Sequence, residues 1–219
     1  MARRRPRPAG AYRRQAPTRE AYDVVLIVCE GEKTEPEYLK GLRGACGLNP
    51  ANIRIVAADA NDPVGIVKQG IETHRRTPGE FDRVFCVFDK NGHANYQHAL
   101  DLAATSPLGR KGVLAAIPSV SCFEIWVLLH YLYTTRPFAA SGARSACDNV
   151  VADIRAHLPE YEKNFEGVFE KLWPLLDMAI RHGERLALHN RGTGSDNPAT
   201  EVHTLVKYLR SLRGDEGGH

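Results

Sequence analysis

The sequence predicts an α/β fold: a parallel, doubly wound sheet followed by a helical C-terminal subdomain. Three observations carry this. Four short runs rich in β-branched and aromatic residues occur before residue 120, each almost wholly apolar, as strands buried on both faces are. Helical stretches separate them, supplying the crossovers that parallel strands need. Beyond about residue 130 strand signals fade and helical periodicity remains. The natural division is a disordered basic tail over 1–21, an α/β domain over 22–135 and a helical subdomain over 136–219.

The first strand is Asp23–Cys29 (DVVLIVC), a continuous apolar run. Glu30-Gly31-Glu32-Lys33 follows, and then a helix in which Thr34 and Glu37 have capping-box spacing and Pro36 suits the first turn. Gly44 and Gly47 close that helix. Ile53–Ala58 reads as a second strand. Asp62 and Pro63 open a helix whose Val64, Ile66, Val67 and Ile71 lie largely on one face. Arg83–Phe88 is a third strand, followed by Asp89-Lys90-Asn91-Gly92 and a helix from about Asn95 to Ala104. Gly112–Ile117 is a fourth strand, leading through Pro118 and Ser121 into an apolar helix over Cys122–His130. Further helices are expected near Arg144–His157, Tyr161–Phe169, Trp173–His189 and Ala199–Leu212, the last opened by Asn197-Pro198. Gly192–Ser195 lacks the P-loop lysine and a preceding strand, so it reads as a linker.

Composition is that of a globular protein, with 43% hydrophobic and 25% charged residues. No apolar run reaches the ~18–20 residues needed to span a bilayer, so no membrane association is expected. The net charge is +3, but residues 1–20 hold seven Arg and one Glu, giving +6 and leaving the rest of the chain at −3. The basic tail can grip phosphates non-specifically or simply raise solubility; net charge alone does not argue for nucleic acid. The five cysteines are scattered and odd in number, without a CxxC pair. Neither a zinc knuckle nor a disulfide framework is expected, and a reducing cytoplasm is the natural location.

In open parallel sheets, ligands bind outside the carboxyl ends of the strands. There this chain places Glu30-Gly31 after the first strand and Asp89-Lys90-Asn91 after the third. Ser119 and, a turn later, Glu124 follow the fourth. Carboxylates converging on one crevice repel one another unless a cation lies between them. Oxygen donors without His or Cys suit Mg²⁺ or Mn²⁺ rather than zinc. Glu30 and Asp89 are better placed for such a site than for their local roles as a helix-start carboxylate and a turn Asp. Glu124 is contested, because Ser121 and Glu124 also have capping-box spacing. Glu32 and Glu35 read as solvated or helix-start charges favouring the positive helix end, with a supporting role beside the metal ligands as the alternative for either. His93 and His98 can donate to a phosphate or protonate a leaving oxygen, or simply be surface histidines. His130 reads as a satisfied helix histidine and Trp126 as core. Lys163, His189, Asn190 and Arg191 are polar candidates that no motif recommends. No Gly-x-Ser-x-Gly, HExxH or Rossmann fingerprint is present, which removes the serine hydrolase, zincin and dinucleotide classes.

Four ordered stretches carry a resemblance: VLIVCEGEKTEPEY over Val25–Tyr38, VFDKN over Val87–Asn91, SVSCFEIWVLLH over Ser119–His130, and NPAT over Asn197–Thr200. Together they resemble RloB-like proteins of the Toprim superfamily, over most of the chain from about Val24 to Leu209. The family is associated with restriction and phage-defence loci, and Toprim domains are shared by topoisomerases, primases and nucleases. The resemblance implies a Toprim-like sheet and an Mg²⁺- or Mn²⁺-dependent nuclease acting on DNA or RNA, with tRNA among the candidate substrates. It assigns Glu30 to the Toprim glutamate and Asp89 to the first acid of Asp-x-Asp. The second acid is replaced by Asn91, whose amide oxygen can coordinate a cation without contributing charge. The metal ligands expected are therefore Glu30, Asp89 and Asn91, and the catalytic residues Glu30, Asp89 and Glu124. Glu30, where not committed to metal, can deprotonate water or an attacking hydroxyl. The alternative is a degenerate Toprim pocket that binds or senses without cutting. A defence-system protein partner and self-association are both compatible with the family.

Overall fold

The computed structural model of the chain describes residues 22–163, 165 and 167–212, so the tail expected over 1–21 lies outside the described residues. In chain order the elements are β1 (Val25–Cys29), α1 (Thr34–Ala45), β2 (Ile53–Ala57), α2 (Pro63–Arg76), β3 (Arg83–Asp89), α3 (Tyr96–Thr105), α4 (Pro107–Arg110) and β4 (Leu114–Val120). They continue with α5 (Glu124–Leu129), α6 (Ala146–Arg155), α7 (Val168–Leu172), a 3₁₀ turn (Trp173–Leu175), α8 (Leu176–Thr193), β5 (Ala199–Thr200) and α9 (Val202–Ser211).

The sheet has the order β2-β1-β3-β4-β5, with the first four strands parallel. All five residues of β1 are buried because the strand faces a core on each side. Val25, Ile27 and Cys29 point into one hydrophobic cluster, and Leu26 and Val28 into the other. This two-sided burial is the reason its sequence is continuously apolar rather than alternating. α2 and α3 supply Ile66, Val67, Ala99 and Ala103 to one face. α1, α5 and the later helices cover the opposite face, where Tyr38, Trp126, Leu186 and Leu205 meet Ile27, Phe85 and Ile117 in a single cluster. The C-terminal helices are thus the second covering layer of the sheet. Tyr208 of α9 packs its ring 5.1 Å from that of Phe85.

Several expected details differ. A fifth strand was not foreseen: Ala199 and Thr200 pair antiparallel with Val120 and Ser119. Two residues give no period to read, so only the pairing reveals them. The helix expected from Ala199 begins instead at Val202, and Asn197 is not its cap. The Asn197 side chain donates to the Phe138 carbonyl at 2.8 Å and accepts from its N–H at 3.1 Å, tying two loops together across a cis Asn197–Pro198 bond. β4 extends to Val120, taking Pro118 and Ser119 into the strand. The residues that precede two of the helices differ from those expected. α1 is preceded by Lys33 and α5 by Phe123, each without a side-chain cap. Near the helix expected over Tyr161–Phe169, α7 begins at Val168, after Gly167 at φ 77°. By contrast, Asp62 caps α2 as expected, accepting from the Gly65 N–H at 3.2 Å.

The expectation of no disulfide is overturned. Cys122, just before α5, is bonded to Cys147 in the first turn of α6. A separation of 25 residues without a recognisable spacing hides such a pair in sequence. Tertiary packing of α5 against α6 brings the two together.

Candidate metal and catalytic site

β1 and β3 are neighbours with β2 and β4 outside them, so the chain leaves the sheet in opposite directions around the carboxyl ends of β1 and β3. That is the position at which open α/β sheets form a crevice. Glu30 leaves β1 one residue after Cys29, and its own N–H still donates to the Val87 carbonyl at 3.0 Å. Its side chain crosses to β3, where Oε2 accepts the Asp89 backbone N–H at 2.8 Å. The other oxygen, Oε1, lies 3.3 Å from Nε2 of His93. Glu30 and Asp89, 59 residues apart, therefore meet at adjacent strand ends.

The Asp89 carboxyl is turned the other way, toward the start of α5. It sits well above the ordinary carboxylate range, first through burial and then through the negative charges of Glu35, Glu124 and Glu30. A backbone N–H from Phe123 partly offsets the rise. Glu124, only 4% exposed at the head of α5, is also raised by burial, with the Lys163 ammonium opposing the effect. Its Oε2 lies 3.2 Å from Sγ of Cys147. A disulfide sulfur has no hydrogen to donate, so this contact does nothing to hold the Glu124 charge.

Glu35 is the site residue that sequence reasoning read first as a helix-start charge and only second as a supporting residue. It is 7% exposed, and its carboxyl is pushed up to about 7, by burial first and then by Glu124 and Glu30, with Lys163 acting against them. Its position in the first turn of α1 fitted a helix-end charge. The available signal was its place four residues after the loop glycine Gly31, on the face carrying Tyr38, Leu39 and Leu42. A Cβ at Gly31 would stand 2.1 Å from Glu35 Oε2, so the glycine leaves the room the carboxylate occupies.

Tyr161 completes the enclosure. It is 1% exposed, and its hydroxyl has no hydrogen-bond partner. Burial and the nearby charges of Glu124 and Glu35 hold that hydroxyl firmly protonated. A buried orphan hydroxyl beside carboxylates marks a place where a bound group or water belongs.

The remaining candidates are elsewhere. Asn91 is exposed, at φ 26°, and its N–H donates to the Ser121 carbonyl at 3.0 Å. Among the described residues no hydrogen bond joins its side chain to the acids; it lines a 340 Å³ pocket with Lys90, Gly92, Ser121 and Asn197. Lys90 is drawn off to Asp196 at 2.7 Å. His98 is exposed on α3, and Glu32 is exposed in the loop. His130 is fully buried: Nδ1–H donates to the Trp126 carbonyl at 2.9 Å, while Nε2 lies 3.4 Å from the Tyr38 hydroxyl. Burial lowers its pKa to about 4, so it is a neutral structural histidine, as expected.

The charges of Glu30, Glu35 and Glu124 all act on Asp89, and those of Glu30 and Glu124 on Glu35, although among the described residues no three of these carboxylates bring an oxygen each within 4.8 Å of one another. An all-oxygen anionic set fits a hard dication. The sulfurs of Cys122 and Cys147 lie within 4.8 Å of a Glu124 oxygen, but the disulfide removes the thiolates a soft metal needs.

A mixed α/β sheet with acids gathered at its switch point defines the broad class. Residues 25–209 match the RloB-like protein family, and the chain belongs to that family. No curated protein and no solved structure matches it significantly. Among the described residues no helix is long and apolar enough to cross a membrane.

Proposed function

We propose that this protein is a divalent-metal-dependent phosphodiesterase that cuts nucleic acid, built on a Toprim-like sheet. The observation that carries the reading is the convergence of Glu30, Glu35, Asp89 and Glu124. Three of the four, Glu35, Asp89 and Glu124, are raised in pKa by burial, and Glu35 and Asp89 further by neighbouring carboxylates, a condition that a bound dication relieves. These carboxylates would hold Mg²⁺ or Mn²⁺. When bound, the metal supplies Lewis-acid charge to a phosphoryl oxygen and lowers the pKa of water.

The chain's own groups have separate tasks. The Asp89 amide orients Glu30, which in turn holds His93 through Nε2, so that Nδ1 can pass a proton to a departing oxygen. Lys163 sets a positive charge against Glu35 and Glu124, and that charge also suits a phosphate. Apolar walls from Tyr38 and Phe123 limit water around the acids. The family's association with restriction and phage-defence loci supports antiviral defence as the setting.

The test is cleavage of DNA and of tRNA by purified protein with Mg²⁺ or Mn²⁺, beside Asp89→Ala. Cutting that needs the metal, and falls by about 100-fold or more in the variant, is expected. Metal-independent cutting, or equal cutting by the variant, overturns the reading. Asn91 in place of an acid favours one alternative, a module that binds without cutting. Metal binding by calorimetry with no cleavage of either substrate would establish it.

A further inference from the structure

We propose that the cleft between α6 and the segment leading to α7 is a binding groove for the phosphates of single-stranded nucleic acid, feeding the carboxylate site. The inference rests on the phosphodiesterase reading and adds where the strand lies. The cleft encloses about 500 Å³ and is lined by Arg144, Asp148, Val151, Ala152, Arg155 and Lys163. Positions 148, 151, 152 and 155 recur at helical spacing, so one face of α6 forms a wall.

Its charge is unbalanced. Among the described residues no carboxylate stands within ion-pair distance of Arg144, Arg155 or Lys163. The one acid in the lining, Asp148, caps α6, accepting the Ser145 N–H at 2.9 Å and its hydroxyl at 2.7 Å, and its charge offsets Arg144 and Lys163 only in part, since three cations face it. A second basic depression, lined by Arg181, Lys207 and Arg210, is more nearly balanced. There Lys207 pairs with Glu184, and Arg210 pairs with Asp177 at 2.5 Å.

Two links tie the cleft to the acids. Lys163 lines the cleft and also opposes the negative charge at Glu35 and Glu124. Arg155 donates from Nε to the Tyr161 carbonyl at 2.7 Å, and the same tyrosine carries the orphan hydroxyl beside those acids. This leaves the terminal nitrogens of Arg155 for the cleft. A phosphodiester chain offers one negative charge per nucleotide and fits a row of unpaired cations. A cleft of about 500 Å³ has room for a single strand and not for a duplex.

The experiment is fluorescence anisotropy with labelled 12-mer DNA and RNA strands on the full chain in EDTA, over a range of KCl. The variants are Arg144→Ala and Arg144→Glu, on an exposed side chain, with Arg181→Ala as control. Removing one phosphate contact should weaken binding about fivefold at ~0.1 M salt and reduce the salt slope by about 0.7. Arg144→Glu should weaken it more, and Arg181→Ala should leave it unchanged. The DNA and RNA arms tell which strand is preferred. Equal affinity of wild type and both Arg144 variants, an equal loss in Arg181→Ala, or no salt-dependent binding by wild type overturns the groove. Because no metal is present, binding that responds to Arg144 without later cleavage would reject the phosphodiesterase and keep the groove. Metal-dependent cutting with unaltered binding would do the reverse.

Discussion

Gly31 and Glu35 fit together as hole and plug: the space beside the glycine Cα, where any other side chain would begin, is filled by the Glu35 carboxylate. An added Cβ would meet Oε2 at 2.1 Å and Cδ at 2.8 Å. The obstruction is the far end of a flexible side chain rather than backbone, so the carboxylate yields before the fold does.

Gly31→Ala should therefore cost little stability, under about 1 kcal/mol, while displacing Glu35 from the other acids. Metal affinity and metal-dependent cleavage should fall by about tenfold or more. Thermal denaturation beside Mn²⁺ calorimetry checks this; unchanged metal affinity would mean that Glu35 is not a ligand.

The raised Glu35 pKa makes metal-free stability depend on pH. Its folded value of about 7 lies above the ordinary glutamate value of 4.5, so the proton is bound more tightly in the folded state. The associated stability is present below about 4.5 and is lost as pH rises through about 7, amounting to about 3 kcal/mol. Buried His130, lowered from 6.5 to about 4, acts oppositely, losing stability as pH falls below 6.5. Subtracting a Glu35→Gln variant from wild type removes the histidine contribution. In EDTA, the variant's advantage in urea unfolding should grow from pH 5 to pH 8. A difference independent of pH would contradict the assignment.

Divalent metal should reverse that loss. Adding Mg²⁺ or Mn²⁺ at pH 8 should raise the melting temperature of wild type, since a ligand that binds only the folded state stabilises it by mass action. The increment should shrink at pH 5, where protons compete. Asp89→Ala and Glu124→Gln should each lessen it at pH 8.

The Cys122–Cys147 bond closes a 25-residue loop between α5 and α6, worth about 3 kcal/mol in the chain-entropy account. A Cys122→Ser, Cys147→Ser double variant should unfold at lower urea than oxidised wild type and match reduced wild type. Non-reducing peptide mapping should recover the two segments linked, with Cys29, Cys46 and Cys86 free.

Glycine contacts also test how the second helical layer closes. A Cβ at Gly183 of α8 would stand 2.8 Å from the His203 Cβ on α9. Gly183→Leu should part the two helices and destabilise the protein by about 1–3 kcal/mol, read as a shift in urea midpoint. Gly192→Ala, at a site with open space, should not.

The sequence by itself determined the four parallel strands, the helices after the first three and the placement of Glu30 and Asp89. Those features follow from local chemistry: a strand buried on both faces must be apolar throughout, and the first polar residue after it falls at the sheet edge. The tertiary structure alone decided that Glu35 joins the acids, that Asn91 points elsewhere, that Cys122 meets Cys147, and that Ala199–Thr200 becomes an edge strand. It also placed Lys163 and the Tyr161 hydroxyl beside carboxylates more than a hundred residues earlier in the chain or on other elements. None of these has a period or spacing to betray it. Burial and charge at such positions are set by what packs opposite, and a one-dimensional pattern carries no record of the opposite wall.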